Sequence, residues 1–381
     1  MKYPGQEEIM SNPVKAIFFF LTPIALVFGF LHLFADAGPY NFDRLHIFLF
    51  NLCTGGTCII YFTRGRGAGL PPVAILFLAL SLVYAVLVFF NCYLPSLALS
   101  LALAALVELV RIREFSLFPW GFFRWSEPVS RKFHQASLLC LSLALIFSTA
   151  VVLNNEYLRL LSIPKLQLDV FFLGYSFPVS LITLSVIFSF LDRAGDSLAR
   201  VLKEAAFWAI NLGVIIFFGF ILGESLPSQL VVTVILTIAV GTTFLLYWRL
   251  GDNMQQKNFL SSGVGFLLVT AVTGMTYILA EFLTAYDPGK YHWLMKLHAF
   301  ASLYGWNLCG LAVICRYDDF PIRLHSRYVI SLHWVAALVL APLGIYFRPA
   351  AVLAVAAFFV LLYVILFSVP AGASRGKITS G

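Results

Sequence analysis

A chain of 381 residues that is 61% hydrophobic and only 11% charged falls outside the soluble globular class, whose domains run at about 25% charged and 45–50% apolar. A water-soluble core of this size cannot absorb so much apolar surface, so the bilayer is the solvent for most side chains. The net charge of +7 does not indicate nucleic acid, because the basic residues fall in alternate loops between apolar runs, a pattern of membrane topology.

In chain order, residues 1–13 are polar and read as a cytoplasmic N-terminal segment. The apolar run from Val14 lacks a small-residue cleavage site and leads into further runs, so it reads as a first span and not as a removable signal. Breaks at charged, Pro and Gly clusters predict twelve spans of the length a bilayer needs: 14–35, 44–63, 71–92, 94–112, 134–153, 168–191, 201–222, 229–248, 259–282, 292–314, 328–346 and 349–368. Leu94-Pro95 reads as the tight turn between spans 3 and 4, since proline suits a turn. The expected fold class is all-α: a polytopic transmembrane bundle, one domain over 14–368, with a cytoplasmic tail at 369–381.

Placing both termini in the cytoplasm puts 19 of the 25 Lys and Arg residues on that side, as the positive-inside rule requires. The compact, repeat-free chain fits a bacterial inner membrane. The six cysteines form no C-x-x-C pair, which argues against a disulfide framework or a zinc ribbon. The longest connection, 112–133, interleaves Phe115, Phe118, Trp120, Phe122, Phe123 and Trp125 with basic residues. That composition suits a segment lying in the cytoplasmic headgroup layer, as an anchor or as a surface for lipid or a partner.

Ionisable residues inside a membrane are expensive and so are functional candidates. The topology brings His32, Asp36, His46, His292 and His298 to the external face, and leaves His134, His325 and His333 on the cytoplasmic side as headgroup contacts or caps. On span 2, His46, Phe50, Cys53 and Thr57 share a helical face; on span 10, His298, Ser302, Gly305 and Cys309 do so at the same offsets. Small residues below a histidine leave volume that either a planar cofactor or a neighbouring helix fills. If a flat macrocycle lay there, His46 and His298 would be its axial ligands, with His32 an alternative, giving a buried b-type haem. The same histidines also read as interfacial polar residues or as a proton relay with Asp36.

Twelve spans with histidines at the outer ends of spans 2 and 10 resemble the low-spin haem arrangement of haem-copper oxidase subunit I. The tract "HWLMKLHAFASLYGWNLCGLAVICR" resembles histidine-bearing tracts of the NnrS membrane family, which is associated with nitric-oxide responses. The resemblance implies haem and small-gas or redox chemistry. It stops short of oxygen reduction, because spans 6 and 7 contain no histidine for a copper site, and span 10 spaces its two histidines differently from the oxidases.

Span 6 carries Asp169, Ser176, Ser180 and Thr183 on one stripe, which reads as interhelical glue or as a polar path. Glu108, Glu204, Asn211 and Asn307 are further interior candidates, with Glu108 and Glu204 also able to reach the cytoplasmic interface. Glu281, near the outer end of span 9, is placed to pair with His292 or His298. The pair Asp318-Asp319 reads as a solvated loop or as a divalent-ion site with a substrate phosphate. No P-loop, dinucleotide fingerprint or H-E-x-x-H is present. Three classes remain: a haem-binding redox or sensory membrane protein, a transporter of protons or a small solute, and a non-catalytic subunit of a membrane complex.

Overall fold

The structure is a computed structural model that describes residues 9–36, 38, 40–161, 164–191, 195–251, 256–283, 288–318 and 326–368, with backbone alone for 164–173 and 288–290. Among these residues all regular secondary structure is helical. The long helices are α1 (Asn12–Leu33), α2 (Phe42–Arg64), α3 (Pro72–Phe89), α4 (Tyr93–Glu114), α5 (Val129–Leu158), α6 (Pro164–Ser189), α7 (Ser197–Leu222), α8 (Leu226–Leu250), α9 (Lys257–Leu283), α10 (Tyr291–Cys315), α11 (Arg327–Gly344) and α12 (Arg348–Phe367). Eleven of them are long and apolar enough to cross a membrane, and α6 is apolar over its described part, Gly174–Ser189. Helices that satisfy their own backbone are what a lipid solvent permits, and the chain is built as a multi-pass membrane protein.

The helix ends follow local chemistry. Asn41 accepts from Arg44 N at 2.8 Å and caps α2, and Asp196 accepts from Ala199 N at 3.0 Å to cap α7. The turn between α3 and α4 lies at Phe90–Cys92, with Asn91 at φ +57°. It does not lie at Leu94-Pro95, because Pro95 occupies the first turn of α4, where a missing N–H costs no intrahelical bond. The connection between α4 and α5 begins at Phe115 and ends at Pro128, and it is irregular except for one 3₁₀ turn, Trp120–Phe123. Arg111 folds it back on α4 by donating to Ser116 O and Leu117 O, both at 2.9 Å.

Three helices form the centre. The hydrophobic stretches of α2 and α10 are 94% and 78% buried inside the protein, against 28–56% for the other spans assessed. The described part of α6 joins them, with Tyr175, Val179, Ile182 and Phe188 fully buried. The outer helices wrap this triad largely in chain order, α12 closing onto α1. The central helices depart from regular α geometry: Phe48–Gly56 of α2 and Ala301–Asn307 of α10 are π-helical. Such wide turns are rare and concentrate at functional sites.

Buried cations are satisfied within the bundle. Lys132 of α5 donates to both carboxylate oxygens of Glu204 on α7, at 2.7 and 2.8 Å, with side chains 2% and 7% exposed. Glu204 is therefore an internal ion-pair partner and does not reach out to the interface. Glu108 likewise pairs with Arg111 at 2.6 Å and accepts from Ser142. Arg316, at the end of α10, donates to Ile365 O, Leu366 O and Ser368 O at 2.6–3.0 Å, placing a cation on the negative end of α12.

Removing one partner of a buried pair leaves an uncompensated charge, at a cost of about 3–5 kcal/mol, whereas an apolar replacement of both is close to neutral. Lys132→Met is expected to lower the thermal unfolding midpoint of the detergent-solubilised protein sharply. Lys132→Met with Glu204→Leu is expected to recover most of it, both read by tryptophan fluorescence.

Candidate functional site

The contact of α2, α6 and α10 carries a connected polar group in an otherwise apolar interior. Asn51 Nδ2 donates to Ser176 Oγ at 2.8 Å, and Asn307 Nδ2 reaches Ser176 O at 3.3 Å and Asn51 Oδ1 at 3.5 Å. Ser180 Oγ donates to Asn307 Oδ1 at 2.9 Å while accepting from Trp306 Nε1 at 2.9 Å. Asn51, Trp306 and Asn307 are fully buried, where an unmade hydrogen bond is costly. The π segments of α2 and α10, two of the four among the described residues, each carry one of these asparagines.

Of the span 6 stripe, the structure brings Ser176 and Ser180 into this group. Thr183 stays out: its hydroxyl donates back to Val179 O at 2.8 Å, and its side chain packs against Gly310. The side chain of Asp169 lies outside the described residues. Asn51 and Trp306 were not identified from sequence, although one signal was present: the tripeptide Asn-Leu-Cys occurs at 51–53 and again at 307–309.

His46 and His298 are held in the same manner. His46 Nδ1 lies 2.6 Å from Ala25 O of α1, in space left by Gly29, where an added Cβ would stand 2.8 Å from that nitrogen. His298 Nδ1 lies 3.0 Å from Thr270 O of α9, beside Gly274. A carbonyl only accepts, so Nδ1 carries the proton in both rings and Nε2 keeps its lone pair. Among the described residues neither Nε2 has a hydrogen-bond partner.

The rings have different neighbours, however. His46 packs on α1 and on Tyr304, ring centroids 5.6 Å apart, and His298 packs on α9. The seam beside His46 is filled by aromatic side chains: Phe50 on Tyr304 at 4.8 Å, Phe300 on Tyr304 at 5.9 Å and Phe30 on Phe300 at 5.8 Å. The shared face expected on α10 is present toward α9, where His298 meets Thr270, Gly305 meets Phe266 and Cys309 donates to Phe259 O. On α2 the expected face is divided, with wide π turns between its members: His46 meets α1, Phe50 meets Tyr304 of α10 and Cys53 meets Ser81 of α3.

The remaining histidines divide by burial. His32 and His292 are exposed: His32 lines a pocket of about 470 Å³ with Asn41, Asp43 and Asn91, and His292 Nδ1 lies 3.3 Å from Tyr346 Oη. Asp36 is exposed and accepts from Gly38 N at 3.1 Å. The external constellation is thus two exposed imidazoles, one buried (His46) and one half-buried (His298). Glu281 is half-buried and appears in no hydrogen bond or ion pair with His292 or His298.

His333 corrects an expectation. It makes no headgroup contact, being 1% exposed, and its Nε2 donates to Tyr304 O at 2.6 Å, with the ring stacked against Phe259 and Phe266. The acceptor belongs to the π segment of α10. His134 is half-buried and bonds Thr63 Oγ1 at 2.8 Å between Phe62 and Phe115. Asp318 lies 3.6 Å from Arg66, across from the α2–α3 loop, which reads as a loop-to-loop ion pair; His325 and Asp319 lie outside the described residues. Cys58 and Cys315 approach at 3.9 Å between α2 and α10 as free thiols. Among the described residues no three His, Cys, Asp or Glu side chains converge as a metal cluster.

The close approach of α6 and α10 rests on Gly310, where a Cβ would collide with the Thr183 side chain. Gly310→Ala is expected to lower thermal stability, and Gly310→Ala with Thr183→Ala to restore part of it. Asn307→Leu, which ends three hydrogen bonds, is expected to cost about 2 kcal/mol by the same measurement, at roughly 0.6 kcal/mol for each interhelical bond in a membrane protein. No family model, curated protein or solved structure matches this chain.

Proposed function

We propose that the chain is a twelve-span protein of a bacterial inner membrane, with both termini in the cytoplasm, that binds a b-type haem through His46 and His298 for redox or small-gas chemistry of the nitric-oxide-related kind. The span count and orientation rest on the helix series and the basic-residue bias. The observation that carries the haem reading is the anchoring of both imidazoles through Nδ1 to backbone carbonyls. Ligating histidines are oriented in this way: the carbonyl sets the tautomer, raises ring basicity and leaves Nε2 for the metal.

Each imidazole singly is thus suited to ligate iron, but the two lie against different helices, α1 and α9, and the seam beside His46 is filled by Phe50, Phe300 and Tyr304, so this packing has to open for one haem to lie between them. When bound, haem supplies one-electron and diatomic-gas chemistry. In this protein Ala25 and Thr270 hold the imidazoles, and the Tyr304 ring, with Phe50 and Phe300 packed on it, covers His46.

The test is a reduced-minus-oxidised absorption spectrum of protein purified after haem-replete expression. A haem signal is expected that His46→Ala and His298→Ala abolish and His134→Ala retains; absence of any signal overturns the reading.

A second reading, a route for protons or a small solute, draws on the hydrogen-bonded series Trp306, Ser180, Asn307, Ser176 and Asn51 in the three central helices. On that reading, proteoliposomes show proton or solute flux that Asp169→Asn or Asn307→Leu abolishes. The role of a non-catalytic subunit in a membrane complex is what remains if both measurements are negative.

A further inference from the structure

Five large apolar side chains stand out of the connection between α4 and α5: Leu117, Phe118, Trp120, Phe123 and Trp125, each 50–70% exposed. They lie outside the spanning helices, so water or headgroups, and not hydrocarbon, would surround them unless they enter the membrane boundary. Beside them is a groove of about 360 Å³, walled by Phe122, Phe123 and Trp125 on one side and by Val201 and Trp208 of α7 on the other, with the Lys132–Glu204 pair at its floor. Phe123 meets Trp208 at 5.4 Å and Phe122 meets Phe207 at 5.3 Å, which docks the connection onto α7.

The direction in which the groove opens selects its occupant. On α7 the exposed residues Leu198, Val201, Leu212, Ile215 and Ile216 continue its wall at helical spacing. A chain lying in the groove therefore runs on along a lipid-facing stripe, a path suited to an acyl chain and not to a water-soluble ligand.

The charge around the groove selects the headgroup. Lys132 is fully engaged by Glu204, Arg131 by Glu127 at 2.6 Å and Arg111 by Glu108. Arg124 and Arg200 are exposed, and neither has a carboxylate partner among the described residues. Arg200 is held over the Trp125 ring at 5.2 Å and donates to Trp125 O at 2.6 Å, which fixes a cation at the edge of the aromatic wall. A guanidinium fixed at the edge of the aromatic wall, Arg200, and a second exposed one, Arg124, between the groove residues Phe123 and Trp125 in the chain, match a phosphate above an acyl chain.

We propose that this connection and the first three turns of α7 form a binding site for an anionic membrane phospholipid, with one acyl chain in the Phe123–Trp208 groove and the phosphate at Arg124 and Arg200. The site is independent of the haem reading and holds for either alternative function.

Native mass spectrometry of the full-length, detergent-solubilised protein tests it, using phosphatidylglycerol and phosphatidylcholine with identical acyl chains. Phosphatidylglycerol adducts are expected to exceed phosphatidylcholine adducts several-fold, and Arg124→Gln with Arg200→Gln to bring the two level at unchanged thermal stability. Phe123→Ser, which keeps both arginines, is expected to lower the phosphatidylglycerol adducts several-fold as well. Equal adducts in the unmodified protein, or a preference that survives the double arginine substitution, overturn the proposal. Full retention in Phe123→Ser reduces the site to surface charge without a groove, and displacement by glycerol phosphate makes it a soluble-phosphate site; either result also overturns it.

Discussion

The constraint on which the rest of this structure depends is that lipid offers no hydrogen bonds. Every polar group placed inside the bundle must find its partner in the protein, and the interior of α2, α6 and α10 is organised around that requirement. Asn51 and Asn307 are fully buried and turn toward each other and toward Ser176 and Ser180. Apolar packing alone would allow these helices to slide or rotate, since lipid tails compete equally well for apolar side chains. A polar group satisfied in one register resists such movement.

The π-helical segments belong to the same account. Widening the turn shifts which backbone groups pair within the helix and which face each side chain takes. In α10 a carbonyl of the segment, that of Tyr304, receives His333 from α11. In α2 the segment carries Gly55 against α6 and Gly56 against α3, so that part of the helix is packed on more than one side. Burial on most sides, 94% and 78% of the apolar stretch, puts α2 and α10 in contact with several neighbours each. Tyr304 lies at the meeting point, in ring contact with His46, Phe50, Phe300 and Phe358.

The internal histidines and the lipid-facing groove show two ways of handling charge and polarity in one molecule. Inside, neutral imidazoles are oriented by carbonyls, and the buried Lys132 is neutralised by Glu204 at hydrogen-bond distance. At the surface, Arg200 stays exposed over the Trp125 ring and Arg124 is exposed between two aromatic residues of the chain, a pairing of cations with amphipathic rings that suits a membrane interface.

Hydropathy and the spacing of charged, proline and glycine residues determined the helix series by themselves, because a bilayer-length apolar run has few ways to satisfy its backbone other than as a helix. The same local chemistry marked Ser176, Ser180 and Asn307 as interior polar residues and the Phe115–Trp125 tract as interfacial. It misplaced the α3–α4 turn by a few residues, because Pro95 is as acceptable in a first helical turn as in a loop. The tertiary structure alone decided what each polar group touches: that His333 is internal, that Glu204 pairs with Lys132, that Thr183 bonds its own helix, and that His46 and His298 lean on α1 and α9. Those outcomes depend on helix rotation and, Thr183 apart, on partners 21 to 72 residues away in the chain, which the period of a single helix does not reach.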